Sequence, residues 1–309
     1  MVFRSGPVAP GVAFVTGGAR GLGNAIGVSF AKEGARGVCL VDIQDDATFE
    51  EGKKAVEKYG AKVLCIRADV TKEEDVERAV NEAVKEFGRI DYAANFAGIF
   101  GSTLPTWEMP ADAFRQVMEV NTTGVWLCNK YQLRQMMKQD SVEVEEGRPP
   151  QRGSIVNCAS VSESPCSSKF ETVASQGLQY LCFQRLWIEA KDSADSIQAG
   201  AGTTGYTAAK HAVAGLTKAA ALEARGHDIR VNAVSPGFLL TKLLDPFMEK
   251  YGSEQGMKQW EVHEKRQGRK ATFDEIGDVV VLLSTPRMSL VVGHNLVIDG
   301  GFTINERTD

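Results

Sequence analysis

The 309-residue chain is 43% hydrophobic and 24% charged, an ordinary globular balance that excludes disorder throughout and supports a core without disulfide or metal staples. With 35 Lys and Arg against 40 Asp and Glu, the formal net charge of −5 speaks against a general nucleic-acid binder, which needs a basic face. Length alone leaves two small domains or one larger α/β unit open.

In chain order, residues 12–16 read as a strand, 24–33 as a helix, 37–42 as a second strand and 49–59 as a charged, exposed helix. Residues 62–68 form a third predicted strand. Over 72–87, Val76, Val80, Ala83 and Val84 recur on one face, a helical period. A fourth strand spans 90–95. A long helix follows over 112–138, with Phe114, Val117, Met118, Val125 and Leu127 as its apolar positions. Strands at 154–159 and 230–235 flank a helix at 206–223; a helix at 274–283 and a strand at 295–298 complete the series. Alternating elements with unbroken apolar strands predict an α/β fold, a doubly wound parallel sheet of Rossmann type with helices on both faces, in a single domain. Two stretches break the rhythm. Residues 140–152, polar with Pro149-Pro150, read as a surface loop, and 164–196 have no place in the alternation.

Six Cys show no C-x-x-C spacing, and Cys39, Cys65 and Cys158 lie in strand-like runs, so buried reduced thiols are expected. The four His are scattered without metal-ligand spacing, so no metal site is expected. Residues 1–10 lack the apolar core of a signal peptide, and no run approaches the roughly 18 apolar residues of a membrane span. A cytoplasmic protein without a membrane partner is the expectation.

Gly17-Gly18-Ala19-Arg20-Gly21-Leu22-Gly23 joins the first strand, ending at Thr16, to the first helix. Gly17 permits the tight turn, Gly21 lets backbone approach a pyrophosphate, and Gly23 lets helix pack on strand. The helix N-terminus offers its unpaired N–H groups to phosphate. Asp42 ends the second strand 19 residues after Gly23. A carboxylate there accepts hydrogen bonds from an adenosine ribose and repels a 2′-phosphate, and Ile43 supplies no base. NAD(H) is favoured; Arg20 and Arg36 keep NADP(H) as the alternative.

Tyr206 and Lys210 stand at i and i+4, on one helix face. A phenol is a poor base at neutral pH, and a cation one turn away favours its anion. Taken alone, the pair is a weak signal.

The ordered set is a stronger one. Thr16 to Gly23 resembles the T-G-x-x-x-G-x-G turn of the short-chain dehydrogenase/reductase family. Asp69-Val70 is similar to its adenine-contacting pair, and Asn95-Phe96-Ala97-Gly98 to its N-N-A-G segment. Asn121, Ser160, Tyr206 and Lys210 match its catalytic positions, Pro236-Gly237 its P-G segment, and Thr241 its carboxamide contact. Asp299-Gly300-Gly301 resembles its C-terminal ending. The resemblance covers residues 9–302 apart from the two interruptions. It implies cofactor contacts from Thr16, Gly17, Arg20, Gly21, Leu22, Gly23, Asp42, Ile43, Asp69, Val70, Asn95, Ala97, Gly98, Tyr206, Lys210, Pro236, Gly237 and Thr241. It also implies that Tyr206 exchanges a proton with the substrate oxygen and that Lys210 lowers the Tyr206 pKa and holds the nicotinamide ribose. Ser160 would hydrogen-bond the reacting oxygen, and Asn121 would hold a relay water. A homodimer or homotetramer built on helices 112–138 and 206–223 is implied as well.

Two departures stand out. Phe96 replaces an Asn that would tie neighbouring strands, so packing there must differ. Ser160 and Tyr206 lie 46 residues apart, several times the family's spacing, which makes 164–196 an insertion beside the substrate pocket. It reads as an apolar lid bearing Leu178, Tyr180, Leu181, Phe183, Leu186 and Trp187, as a neutral excursion, or as translated non-coding sequence. Residues 241–267 read as a substrate flap whose Leu243, Leu244, Phe247, Met248 and Trp260 suggest an apolar or cyclic substrate or merely pack the flap. The expected activity is NAD(H)-dependent interconversion of a secondary alcohol and a ketone. The alternatives are an NADPH-dependent ketoreductase of this fold and a nucleotide-binding protein inactivated by the insertion.

Overall fold

The computed structural model describes residues 7–161, 202–241 and 253–304. Strands β1 (Val12–Thr16), β2 (Gly37–Asp42), β3 (Lys62–Arg67), β4 (Tyr92–Asn95), β5 (Gly153–Cys158), β6 (Ile229–Pro236) and β7 (Asn295–Ile298) form one parallel sheet in the order β3-β2-β1-β4-β5-β6-β7. Between them run α1 (Gly21–Lys32), α2 (Asp46–Glu57), α3 (Glu73–Phe87), α4 (Ala111–Met118), α5 (Gly124–Met136), α6 (Thr204–Ala224), α7 (Ser253–Arg266) and α8 (Phe273–Ser284). The expected doubly wound sheet is present. β1, β4 and β6 are buried throughout because both faces are covered.

Two apolar cores lie on opposite faces. One joins the sheet to α3, α5 and α6 through Val80, Leu127 and Ala221. The other joins it to α1, α2 and α8 through Ile26, Phe49 and Val280. α1 and α8 approach so closely that a Cβ on Gly277 would stand 2.3 Å from the Ser29 hydroxyl. Local cues set the helix ends. Asp45 caps α2 by accepting from the Thr48 N–H at 2.8 Å, Gly88 ends α3 with φ at +84°, and Thr272 and Glu275 form a capping box on α8.

Two expectations change. The long helix over 112–138 is α4 and α5 joined by a π-turn at Glu119–Thr123, a wider turn that shifts the helix face. α1 begins at Gly21, not at residue 24, so the glycine turn includes its first residues. The loop over 140–152 is pinned: Val142 and Gln151 pair as an isolated antiparallel bridge, and Gln151, 5% exposed, donates to the Ser284 carbonyl. Beside it the buried Arg230 guanidinium donates to the Leu283 and Thr285 carbonyls at 2.9 Å each; burial brings its pKa down to about 10. The insertion expected over 164–196 lies outside the described residues. No described helix is long and apolar enough to cross a membrane. Cys39, Cys65, Cys128 and Cys158 are free thiols.

Candidate active site

β1 and β4 adjoin while their connections leave in opposite directions, so a crevice opens at the carboxyl ends of these strands. The glycine turn lies on its rim. Gly17 has φ at +67°, and a Cβ there would stand 2.9 Å from the Ala97 nitrogen. Gly21 has φ at +59° and nothing within 4 Å of its missing Cβ, so its backbone is open to a ligand. Gly23 departs from expectation in its partner: a Cβ would lie 2.1 Å from the Gly17 carbonyl, so it clears the turn and not the strand. Arg20, exposed, is the N-cap of α1 and makes no side-chain cap, which leaves the helix's first N–H groups to an anion. Leu22 sits in that first turn, half-buried. Asn24, unremarked in the sequence, fastens the turn by donating to the Gly18 carbonyl at 3.0 Å and the Gly52 carbonyl at 3.1 Å.

Asp42 faces the same turn. Its carboxylate accepts from the Ala19 N–H at 3.1 Å and the Ile43 N–H at 2.8 Å, and the Ile43 side chain is exposed. Arg36 precedes β2, at the opposite end from Asp42, and donates to the Phe87 carbonyl at 2.9 Å, which removes it as a 2′-phosphate partner. Arg67 is held by the Asp46 carboxylate and the Gln44 carbonyl.

Four residues expected at the cofactor use their side chains within the protein. Thr16, 2% exposed, uses its hydroxyl to accept from the Phe96 N–H at 3.1 Å and the Ala97 N–H at 3.3 Å. Val70 packs in the core, where a Cβ on Gly124 would stand 2.8 Å from it; Asp69 beside it accepts from the Thr71 N–H and hydroxyl. Asn95, 1% exposed, turns its amide away from the crevice. It donates to Asn129 at 3.2 Å, Gln132 at 2.9 Å and Asn157 at 2.9 Å, and accepts from Gln132 at 2.8 Å. Asn95 and Asn157 are register partners on β4 and β5, so Asn95 does the strand-tying expected of an Asn at position 96. Phe96 instead packs against the apolar core on the α1 side.

The proposed catalytic residues come from three segments. α6 carries Tyr206 and Lys210, both buried. The Lys210 ammonium donates to the Cys158 carbonyl at the end of β5, at 2.7 Å, and lies 5.5 Å from the Tyr206 ring centroid. Burial, the largest influence, works against the ammonium; the Cys158 thiol and Tyr206 phenol, as anions, act oppositely and leave the Lys210 pKa above its ordinary value. Burial likewise raises the Cys158 thiol, offset in part by Lys210. From the missing Cβ of Gly98 it is 3.2 Å to the Asn121 Oδ1 and 4.0 Å to the Lys210 Nζ, so the glycine packs closely beside this pair. Ser160 follows β5 between two anchored neighbours: the Ala159 N–H donates to Val234 at 2.8 Å and the Val161 N–H to Pro236 at 3.3 Å.

Asn121 has a structural contact that the sequence did not signal. It lies in the π-turn, fully buried, and its amide clamps Ile99, accepting from the Ile99 N–H at 2.9 Å and donating to the Ile99 carbonyl at 2.8 Å. Its side chain therefore positions the loop after β4. That loop places Phe100 against Tyr206, ring centroids 5.0 Å apart, beside Ile99, Val117 and Met118. The result is an apolar wall around the phenol.

On the far side, the Gly237 N–H donates to Ile298 at 2.8 Å, and Phe238 opens an aromatic cluster with Trp260, His263 and Phe302. Trp260, 3% exposed, packs there and donates its indole N–H to Glu264 at 2.9 Å, so it builds the flap and is no free substrate contact. Thr241, half-buried, ends this described stretch; Leu243, Leu244, Phe247 and Met248 lie outside the described residues. No group of His, Cys, Asp or Glu among the described residues could hold a metal ion.

The uncapped helix start, the open Gly21 and the Asp42 carboxylate in one crevice fit a pyrophosphate-linked nucleotide. Comparison with known proteins agrees. The short chain dehydrogenase family matches residues 11–169, and the enoyl-(acyl carrier protein) reductase family matches 190–303. A zerumbone synthase from Zingiber zerumbet is 34% identical over 305 residues, covering 96% of each chain. A 2,5-dichloro-2,5-cyclohexadiene-1,4-diol dehydrogenase from Sphingobium indicum is 33% identical over 295 residues, covering 94% of this chain and 95% of its own. The crystal structure of levodione reductase superposes with a TM-score of 0.77 at 32% identity, over 96% of this chain and 98% of its own.

Proposed function

This chain belongs to the short-chain dehydrogenase/reductase family and is a short-chain alcohol dehydrogenase/reductase; from that premise we propose that it uses NAD(H) to interconvert an apolar, cyclic secondary alcohol and its ketone. The observation that carries the reading is the Lys210 ammonium, fixed by the Cys158 carbonyl at 2.7 Å beside the Tyr206 ring and the Gly98–Asn121 pair.

When bound, the nicotinamide dinucleotide supplies the hydride acceptor or donor. The chain's own residues manage the proton and the geometry. Tyr206 takes the proton from the alcohol oxygen, or returns it to the ketone, as general acid–base. Lys210 stabilises the phenolate that Tyr206 must be before it takes a proton and becomes after it gives one. Ser160, held between its two anchored neighbours, hydrogen-bonds the reacting oxygen. Asn121 clamps Ile99 through its side chain, keeping the loop after β4 and the π-turn in register, and holds the water that connects Lys210 to solvent. Gly17, Arg20, Gly21, Leu22 and Gly23 receive the pyrophosphate, and Pro236, Gly237 and Thr241 the nicotinamide end. Backbone of Ala97 and Gly98 lines the crevice between. The apolar wall of Phe100, Ile99 and Met118 supports an apolar substrate, as does the cyclic diol in one relative's name.

Asp42 supports NAD over NADP: its carboxylate, already oriented by the Ala19 N–H, meets a ribose 2′-hydroxyl favourably and a 2′-phosphate unfavourably. Titrating the protein with NADH and with NADPH tests this preference. Tighter NADH binding supports it, and NADPH binding at least about tenfold tighter overturns it. We infer a homodimer or homotetramer formed through α4–α5 and α6, whose outward faces expose Trp126 and Leu222. Light scattering at working concentration decides the assembly.

A further inference from the structure

The end of the flap helix is built into the loop that follows β6. Gln267, one residue past α7, is 4% exposed. Its carboxamide pairs with the backbone of Phe238 in both directions. The Phe238 N–H donates to its Oε1 at 2.7 Å, and its Nε2 donates to the Phe238 carbonyl at 3.3 Å and the Arg269 carbonyl at 3.2 Å. A side chain thus imitates a strand partner.

Two glycines make the slot it fills. A Cβ on Gly237 would stand 2.3 Å from the Gln267 Oε1, and one on Gly300 2.3 Å from the Gln267 carbonyl oxygen. One turn earlier, His263 holds the same Phe238 by its ring, stacked at 4.4 Å with planes 6° apart. Phe238 is therefore gripped at backbone and ring by two residues from one helix end.

We propose that Gln267 and His263 are positioning residues that make the flap helix and the loop over 236–241 one mechanical piece, so the flap sets the nicotinamide end of the bound dinucleotide. The inference rests on the proposed function, which assigns nicotinamide contacts to Pro236, Gly237 and Thr241. Neither residue touches the reacting atoms. They fix the loop that does, while the adenosine end depends on the glycine turn and Asp42 at the other side of the crevice.

The test compares two ligands that share the adenosine–pyrophosphate part. In Gln267→Leu, of similar volume but without the paired hydrogen bonds, affinity for NADH should fall about tenfold while affinity for ADP-ribose stays within about twofold. Gln267→Glu keeps the acceptor for the Phe238 N–H and should lose less; it carries the test if the Leu variant does not fold. Unchanged NADH affinity in a folded variant overturns the role, and so does an equal loss of both ligands, which would mark general damage. Failure of the unaltered protein to bind NADH at all would instead remove the proposed function on which the role rests.

Discussion

Between Thr16 and Asp42 the chain builds one end of its crevice from consecutive backbone, with Gly21 open to a ligand and side chains serving mainly to hold the turn. At the other end, Lys210 of α6, Asn121 of the π-turn, the Cys158 carbonyl of β5 and Gln267 beyond α7 converge from distant segments, each fixed by a hydrogen bond to backbone. The first end is specified by conformation and the second by long-range contact. Changes at the first should therefore separate binding from stability residue by residue. Changes at the second should couple proton transfer, loop position and flap.

The largest effect is expected from Lys210→Met, which removes the charge beside Tyr206 and leaves the Cys158 carbonyl without its donor. Steady-state kinetics should show kcat lower by roughly 10²–10⁴-fold. Next comes Asn95→Leu, which strips the partners from Gln132 and Asn157 inside the core. Chemical denaturation should register a loss of roughly 3 kcal/mol or more, because each buried orphaned group costs about 1–3 kcal/mol. The glycine turn gives a paired contrast. Gly23→Ala forces a Cβ against the Gly17 carbonyl and should cost about 1–3 kcal/mol of stability. Gly21→Ala meets open space, so beyond the roughly 1–2 kcal/mol of its positive φ it should act chiefly by obstructing dinucleotide binding. Equal behaviour of the two variants would dissolve the contrast.

A smaller effect is set by pH. Burial first, and the neighbouring Arg266 second, bring the His263 pKa down from 6.5 to about 4. The folded state therefore binds its proton later than the unfolded chain as pH falls. Stability from this group is complete above 6.5, declines as pH drops toward 4, and changes no further below it. Denaturation at about pH 7 and about pH 5 should show a loss near 2 kcal/mol that His263→Phe abolishes.

Legibility in the sequence follows the same division. The strands, the glycine turn and Asp42 were readable because their signals are local: apolar runs, glycine spacing, a carboxylate at a strand end. The Tyr206–Lys210 pair was readable as helix spacing. What escaped were roles fixed by partners far along the chain. Asn95 lies where a cofactor contact was expected, yet its register partner Asn157 and the α5 amides claim it. The π-turn left the apolar period of 112–138 too little disturbed to reveal that Asn121 clamps Ile99. Gln267 gave no local sign beyond the following Gly268, since its slot is made by Gly237 and Gly300. The insertion expected over 164–196 rests on spacing alone.

The most direct measurement follows NADH formation from NAD⁺ with a panel of cyclic secondary alcohols, using the unaltered chain and Tyr206→Phe. The expected result is turnover of at least one alcohol by the unaltered chain, and loss of that turnover in Tyr206→Phe with NADH affinity retained. Undiminished turnover in Tyr206→Phe, or NADH binding by the unaltered chain with no turnover across the panel, would contradict the account.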